Sequence, residues 1–445
     1  MNLPLILLGK MVSKFSFLLN LGSGGTWPGE LALNFSPSTL SDFLSKVKKG
    51  IIIVGGTNGK TTTAKMIQSI LQNAKSEMST NIVHNDSGAN LLNGIVSAFI
   101  QKASWNGAVD VDWAILEVDE NALPLLISNL KSQKVIIVLL NLFRDQLDRY
   151  GELDSIATKW DKALQILDKD ALLILNADDP QIAYLGKNKK AKIIYFGLNK
   201  PEKFLKLKEH ATDSTYCRNC GSKLEYTGIY FSHLGIWYCP KCGNKRPKPD
   251  ISNWNSNLPG LYNEYNTLAG VSVGKELNID KTKIENAIKE FTPVFGRQEE
   301  IDVDGKKVKI FLSKNPAGFN ASLRTVLELG AKHLLFLLND RIPDGTDISW
   351  IWDVDFEMLP AYITPVVSGD RAYDMALRLK YARAVYKLPP GAVSEPPTPI
   401  LIYEELPEAL KFSLEGVEKG ETLYVLATYS AMLETRKILK GRKIL

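Results

Sequence analysis

An α/β protein with two sheet-bearing units is predicted from three features of this 445-residue chain. Short apolar, β-branched runs alternate with helical stretches, the rhythm of a mostly parallel sheet covered by helices. One run, Ile51-Ile52-Ile53-Val54, feeds a glycine-rich turn, Gly55-Gly56-Thr57-Asn58-Gly59-Lys60-Thr61-Thr62, followed by helical apolar spacing from Ala64 to Leu71. Two C-x-x-C pairs, Cys217/Cys220 and Cys239/Cys242, interrupt the rhythm with eighteen residues between them.

Taken in order, strands are expected over residues 50–54, 113–118, 134–140, 171–175 and 192–196. The cysteine segment, about residues 206–249, reads as an insertion carrying a small hairpin. Helical patterning reopens at Leu258-Pro259-Gly260, and residues 291–297 read as a linker. A second α/β unit of Rossmann-like type follows, with strands near 307–312, 333–338, 363–367 and 422–427. The organisation is therefore an N-terminal segment (1–48) belonging to the first unit, a nucleotide-binding unit (49–295) and a C-terminal unit (296–445). The proline-rich stretch 388–399 reads as an extended loop.

Strand, glycine turn, Lys-Thr and helix form the arrangement that cradles phosphate. Loop N–H groups converge on anionic oxygens, so Thr57, Asn58, Gly59, Lys60, Thr61 and Thr62 are expected to hold ATP. Lys60 would neutralise the β/γ-phosphates and the Thr61 hydroxyl would help hold Mg²⁺. Val54 stands where the usual motif begins with glycine. The segment Trp113 to Asp119 is an apolar strand ending in acids, which makes Glu117 a candidate Mg²⁺ ligand. Asn263 and Asn266, at the start of the helix after Gly260, offer amides that would read an adenine edge. Arg297 would reach ATP when the two units close.

The paired C-x-x-C knuckles present four thiolates for a structural Zn²⁺ bound by Cys217, Cys220, Cys239 and Cys242. Gly221 and Gly243 follow the knuckles, where the turn favours positive φ. All four cysteines are then consumed, and none is left as a nucleophile. The four histidines (His84, His210, His233, His333) show no cluster in sequence. Nitrogen taken from glutamine would need a separate glutaminase polypeptide.

Composition is that of an ordinary soluble protein, 45% apolar and 23% charged, with a formal net charge of +5. No basic stripe interleaved with aromatics indicates nucleic acid. The basic end, residues 436–443, is a candidate for acidic headgroups. No run approaches the roughly 18 apolar residues of a membrane span, and residues 3–8 are too short for a signal peptide. A cytoplasmic location is expected.

The order and spacing of these features, with Asn141-Leu142-Phe143-Arg144-Asp145-Gln146, Asn176-Ala177-Asp178-Asp179-Pro180 and Leu258 to Asn266, resemble the Mur ligases and folylpolyglutamate synthetases. The resemblance implies a P-loop Mur-ligase central domain with an inserted zinc ribbon, a C-terminal Mur-ligase-like domain, and formation of amides through an acyl phosphate. With the loop beginning near residue 55, a UDP-binding N-terminal domain is not expected. Gln146 stands where a metal-binding histidine is usual. The ribbon, the Phe-Arg-Asp-Gln segment and residues 349–357 resemble the MurT branch, synthetase subunits of lipid II isoglutaminyl synthase. That implies amidation of D-glutamate in lipid II, ammonia from a GatD-type glutaminase in a heterodimer, and work at the inner face of the membrane.

In residues 351–357, strand alternation would place Asp353, Asp355 and Glu357 on one face and Trp352, Val354 and Phe356 on the other. By resemblance Asp355, with Asp353 second, is the acid that orients or deprotonates ammonium. Lys314, Asn315 and Asn320 follow a strand and would approach the acceptor, and residues 85–90 form a candidate substrate-facing loop. Two other readings stay open: a ligase adding an amino acid, and a zinc-ribbon ATPase acting on nucleic acid.

Overall fold

The computed structural model describes residues 3–18, 25–74, 81–86, 88–131, 134–145, 153–210, 212–292, 296–385 and 398–441. Residues 22–24, Gln146 and most of the proline-rich stretch lie outside them.

The first sheet has six strands in the order β2-β3-β1-β4-β5-β6. They are β1 (Val47–Gly55), β2 (Ile82–His84), β3 (Val111–Glu117), β4 (Val135–Leu139), β5 (Leu172–Asn176) and β6 (Lys192–Phe196). Every pairing is parallel. Both faces are covered, which is why β1, β3, β4 and β5 read as unbroken apolar runs. Ile51 and Ile53 enter one core with Phe99 and Trp160. Ile52 and Val54 enter the other with Met66, Ile70 and Leu268. The chain leaves β1 toward β2 on one side, and later places β4 on the other. That reversal puts a crevice at the carboxyl end of β1.

The hairpin β7 (Glu225–Phe231) and β8 (Leu234–Tyr238) is antiparallel, as its pattern indicates. It docks on the first sheet through Gly235 N–H to Asp178 O at 3.0 Å and Trp237 Nε1–H to Ala177 O at 3.0 Å.

The second sheet is β13-β12-β11-β14-β10-β9, with β9 (Arg297–Val303), β10 (Lys306–Leu312), β11 (His333–Leu337), β12 (Pro365–Ser368), β13 (Leu401–Ile402) and β14 (Thr422–Ala427). Only β9 runs antiparallel. The stretch expected as a linker thus ends in an edge strand. Residues 351–357 also depart from expectation: they form two 3-10 turns, Ser349–Asp353 and Phe356–Met358. Ile351, Val354 and Phe356 are the buried set, a spacing that suits a turn, while Trp352 stays exposed.

Candidate active site

Sheet register assembles the phosphate loop's surroundings. Val54 pairs with Glu117 and Gly55 with Leu139, so the ends of β3 and β4 flank the loop. The Thr61 hydroxyl lies 2.8 Å from both carboxylate oxygens of Glu117 and donates to that group. Asn85 fixes Glu117 from behind, accepting its N–H at 2.9 Å and donating to its carbonyl at 2.8 Å. Lys60 Nζ donates to Gly56 O at 2.6 Å and lies 3.4 Å from Glu120 Oε1. Burial pushes the Glu120 carboxyl up, while the Lys60 and Lys314 ammoniums pull it down. Gly59 begins the helix Lys60–Asn73 at φ 92°, and a Cβ there would meet Asn266 Oδ1 at 2.2 Å. Only glycine fits both the angle and the approach.

The second sheet closes onto this loop. Asn58 and Asn315 exchange side-chain amide bonds of 3.2 and 3.0 Å. Asn315 also caps the helix Pro316–Glu328, accepting from Gly318 N–H at 2.8 Å. Lys314 pairs with Asp145. Burial works against its charge, but Asp145 and Glu120 outweigh it and raise the ammonium's pKa. Between the sheets lies a cavity of about 620 Å³. All ten residues expected at the nucleotide line it: Thr57, Asn58, Gly59, Lys60, Thr61, Thr62, Glu117, Asn263, Asn266 and Arg297. The two asparagines are also bonded internally, Asn263 to Pro259 O at 2.7 Å and Asn266 to Asn263 at 3.1 Å.

Asp353 and Asp355 are not in the cavity wall. Each has its own partner, and of the three acids expected on one face only Asp355 and Glu357 lie together, within 4.8 Å, while Asp353 is drawn to Arg144. Asp353 accepts from Arg144 Nη2 at 3.0 Å, and Arg144 also pairs with Asp213. Glu357 pairs with Arg378 at 2.9 Å. Asp355 is oriented by Asn320, whose Nδ2 donates at 2.8 Å while its Oδ1 accepts the Asp355 N–H at 2.8 Å. The other Asp355 oxygen bonds His210 Nδ1. The expectation that no histidine joins a cluster therefore fails: His210, Asp355 and Glu357 come together. Their separation of 145 residues hides this in sequence. Glu120 was also missed, although its position beside Asp119 at the end of β3 is a usable signal.

The four cysteine sulfurs lie within 4.8 Å of one another. Cys217 and Cys242 are 3.7 Å apart, Cys220 and Cys239 3.5 Å. A tetrahedron with metal–sulfur bonds of about 2.3 Å has edges of about 3.8 Å, so the thiols fit a metal better than a disulfide. Gly221 and Gly243 both adopt φ 72°, as each knuckle requires.

Comparison with known proteins accounts for both halves of this arrangement. Residues 54–274 match the Mur ligase middle domain and residues 312–432 the MurT ligase C-terminal family. The Lipid II isoglutaminyl synthase (glutamine-hydrolyzing) subunit MurT of Staphylococcus aureus is 34% identical over 81% of this chain and 84% of its own. That of Streptococcus pneumoniae is 32% identical over 96% and 95%. A pseudomurein peptide ligase type C from Methanothermus fervidus superposes with a TM-score of 0.64 at 22% identity, covering 90% of this chain and 81% of that one. A Mur ligase P-loop half joined to a MurT C-terminal half, with relatives matched along most of both lengths, makes this chain a member of the MurT family of Mur ligases.

Proposed function

We propose that this protein catalyses ATP-dependent amidation of the α-carboxylate of D-glutamate in the lipid II stem peptide, yielding D-isoglutamine for peptidoglycan. The names borne by the matched relatives support the substrate. The observation that carries the chemistry is the closure of Lys314 and Asn315 onto the phosphate loop, which brings a second-sheet cation to the reacting phosphate.

Thr57 to Thr62 cradle the ATP phosphates, and Asn263, Asn266 and Arg297 wall the rest of the nucleotide. Mg²⁺, which the Thr61 hydroxyl and Glu117 carboxylate suit, supplies screening of phosphate charge. The substrate carboxylate attacks the γ-phosphorus, the bond to the β,γ-bridging oxygen breaks, and ADP leaves. Lys60 and Lys314 stabilise charge spread over the transferring group. Ammonia then adds to the acyl carbon, the bond to phosphate breaks, and nitrogen gives up its surplus proton. The departing phosphate carries that proton away, while Asp355, held by Asn320 outside the cavity wall, takes the proton of incoming ammonium beforehand and Asp353 assists in orienting it. Ammonia comes from a GatD-type glutaminase bound as a heterodimer, since the cysteines are occupied in a structural zinc site. The enzyme works at the cytoplasmic face of the membrane. Among the described residues no helix is long and apolar enough to cross it.

Purified protein, ATP, ammonium and lipid II should release ADP and convert the stem peptide's carboxyl to an amide, read by mass spectrometry. An amino-acid adduct in place of the amide, when amino acids are supplied, would replace this reading with that of an amino-acid-adding ligase.

The zinc assignment is checked separately. Cys239→Ser should lose the metal found by elemental analysis and lower the melting temperature by about 5–10 °C. Unchanged melting and no zinc in the parent protein would remove the assignment.

A further inference from the structure

The N-terminal helix Leu3–Leu18 carries no acidic residue and two lysines, Lys10 and Lys14. Gly9 turns inward: a Cβ there would stand 3.0 Å from Ile100 and 3.3 Å from Pro28. Ile6 is buried on the same side. The opposite side shows Pro4, Leu8 and Met11 at i, i+4 and i+7, one stripe of the helix. Leu8 is 39% exposed and Met11 46%. Beside the stripe stands Trp105, 52% exposed, with the Lys10 and Lys14 ammoniums 5.3 and 4.9 Å from its ring centroid.

We propose that this face docks on an anionic lipid bilayer. Aliphatic side chains at the centre enter the headgroup–acyl boundary, Trp105 sits at its level, and the lysines snorkel to phosphate. In the alternative basic element two of the cations are already engaged: Arg436 and Lys440, on the C-terminal helix, both pair with Glu299 at 2.6 Å. A soluble protein partner would more commonly meet a patch of mixed charge, whereas this helix offers only positive charge around apolar residues. The inward face of the same helix packs on the helix Leu92–Lys102 at Ile100. That helix begins just after Asn90, which lines the cavity, about 15 Å along the axis. The purpose of such docking rests on the lipid-linked substrate proposed above, but the binding does not.

The test is flotation of the full chain, with its glutaminase bound, on phosphatidylglycerol and on phosphatidylcholine vesicles free of lipid II and ATP. The protein should float with the anionic vesicles. Leu8→Glu with Met11→Glu should abolish this. Lys10→Gln with Lys14→Gln should weaken partition about thirtyfold. Both variants should keep the parent's ATP affinity, which checks their fold. Absence of flotation by the parent protein, or equal flotation of parent and variants, overturns the proposal. So does loss of the glutaminase from the variants with flotation unchanged, which would make this face the subunit interface. Flotation without amidation would leave the docking face standing and sink only the substrate reading.

Discussion

Asp355→Asn should lower amidation by about 10²–10⁴-fold while ATP affinity stays at the parent value. The substitution keeps the shape of the group between Asn320 and His210 and removes its capacity to take a proton. Ammonia at neutral pH is mostly protonated to ammonium, which cannot attack, so a carboxylate that accepts the proton acts on the second half-reaction. Rapid quenching should therefore still show ADP formed in the first turnover, followed by stalled amide formation. An Asp355→Asn enzyme with parent-like amidation would exclude this carboxylate as the base. Asp353→Asn, whose carboxylate is shared with Arg144, should cost less.

Lys60→Met should reduce turnover about a thousandfold and weaken ATP binding as well, because Lys60 meets phosphate in both ground and transition states. Methionine fills a similar volume, so the packing is largely kept. Glu120 would lose the nearer of the two cations beside its buried carboxyl. With burial already pushing that carboxyl up, it can protonate instead of remaining as an unpaired buried charge. Melting should accordingly shift little. Nucleotide titration and lipid II turnover measured together would show whether Lys60 carries the phosphate. Unchanged affinity and rate would remove it from that role.

The chemistry written in contiguous residues was legible in sequence. The phosphate loop, the two cysteine knuckles and most strands depend on local patterns: apolar runs, glycines at special φ, a Lys-Thr pair before a helix. What depended on distant packing was not legible. Strand β9, Arg297–Val303, has only Ile301 and Val303 as apolar residues because it is an edge strand paired on one side, so it was not legible beyond the linker expected over 291–297. Residues 351–357 alternate apolar and acidic groups, but each acid meets a separate partner from a distant element, Arg144, His210 or Arg378, and the segment folds as turns instead of a strand. His210 meets Asp355 only because the insertion folds back over the junction, which no spacing announces.

That fold-back joins three parts of the molecule through a few adjacent side chains. Glu209 accepts from Ser232 N–H of the hairpin and pairs with Arg324 of the second sheet's helix at 2.7 Å. His210 holds Asp355, and Asp213 holds Arg144 beside β4. The hairpin of the cysteine insertion and the proposed base are thus held by neighbouring side chains, Glu209 and His210. Coupling of two bound ligands is reciprocal: a metal at the four cysteines that steadied Asp355 through this run would itself be held more tightly, by the same factor, when the acceptor site is filled. The rate at which such a metal escapes would then report whether the acceptor site is filled.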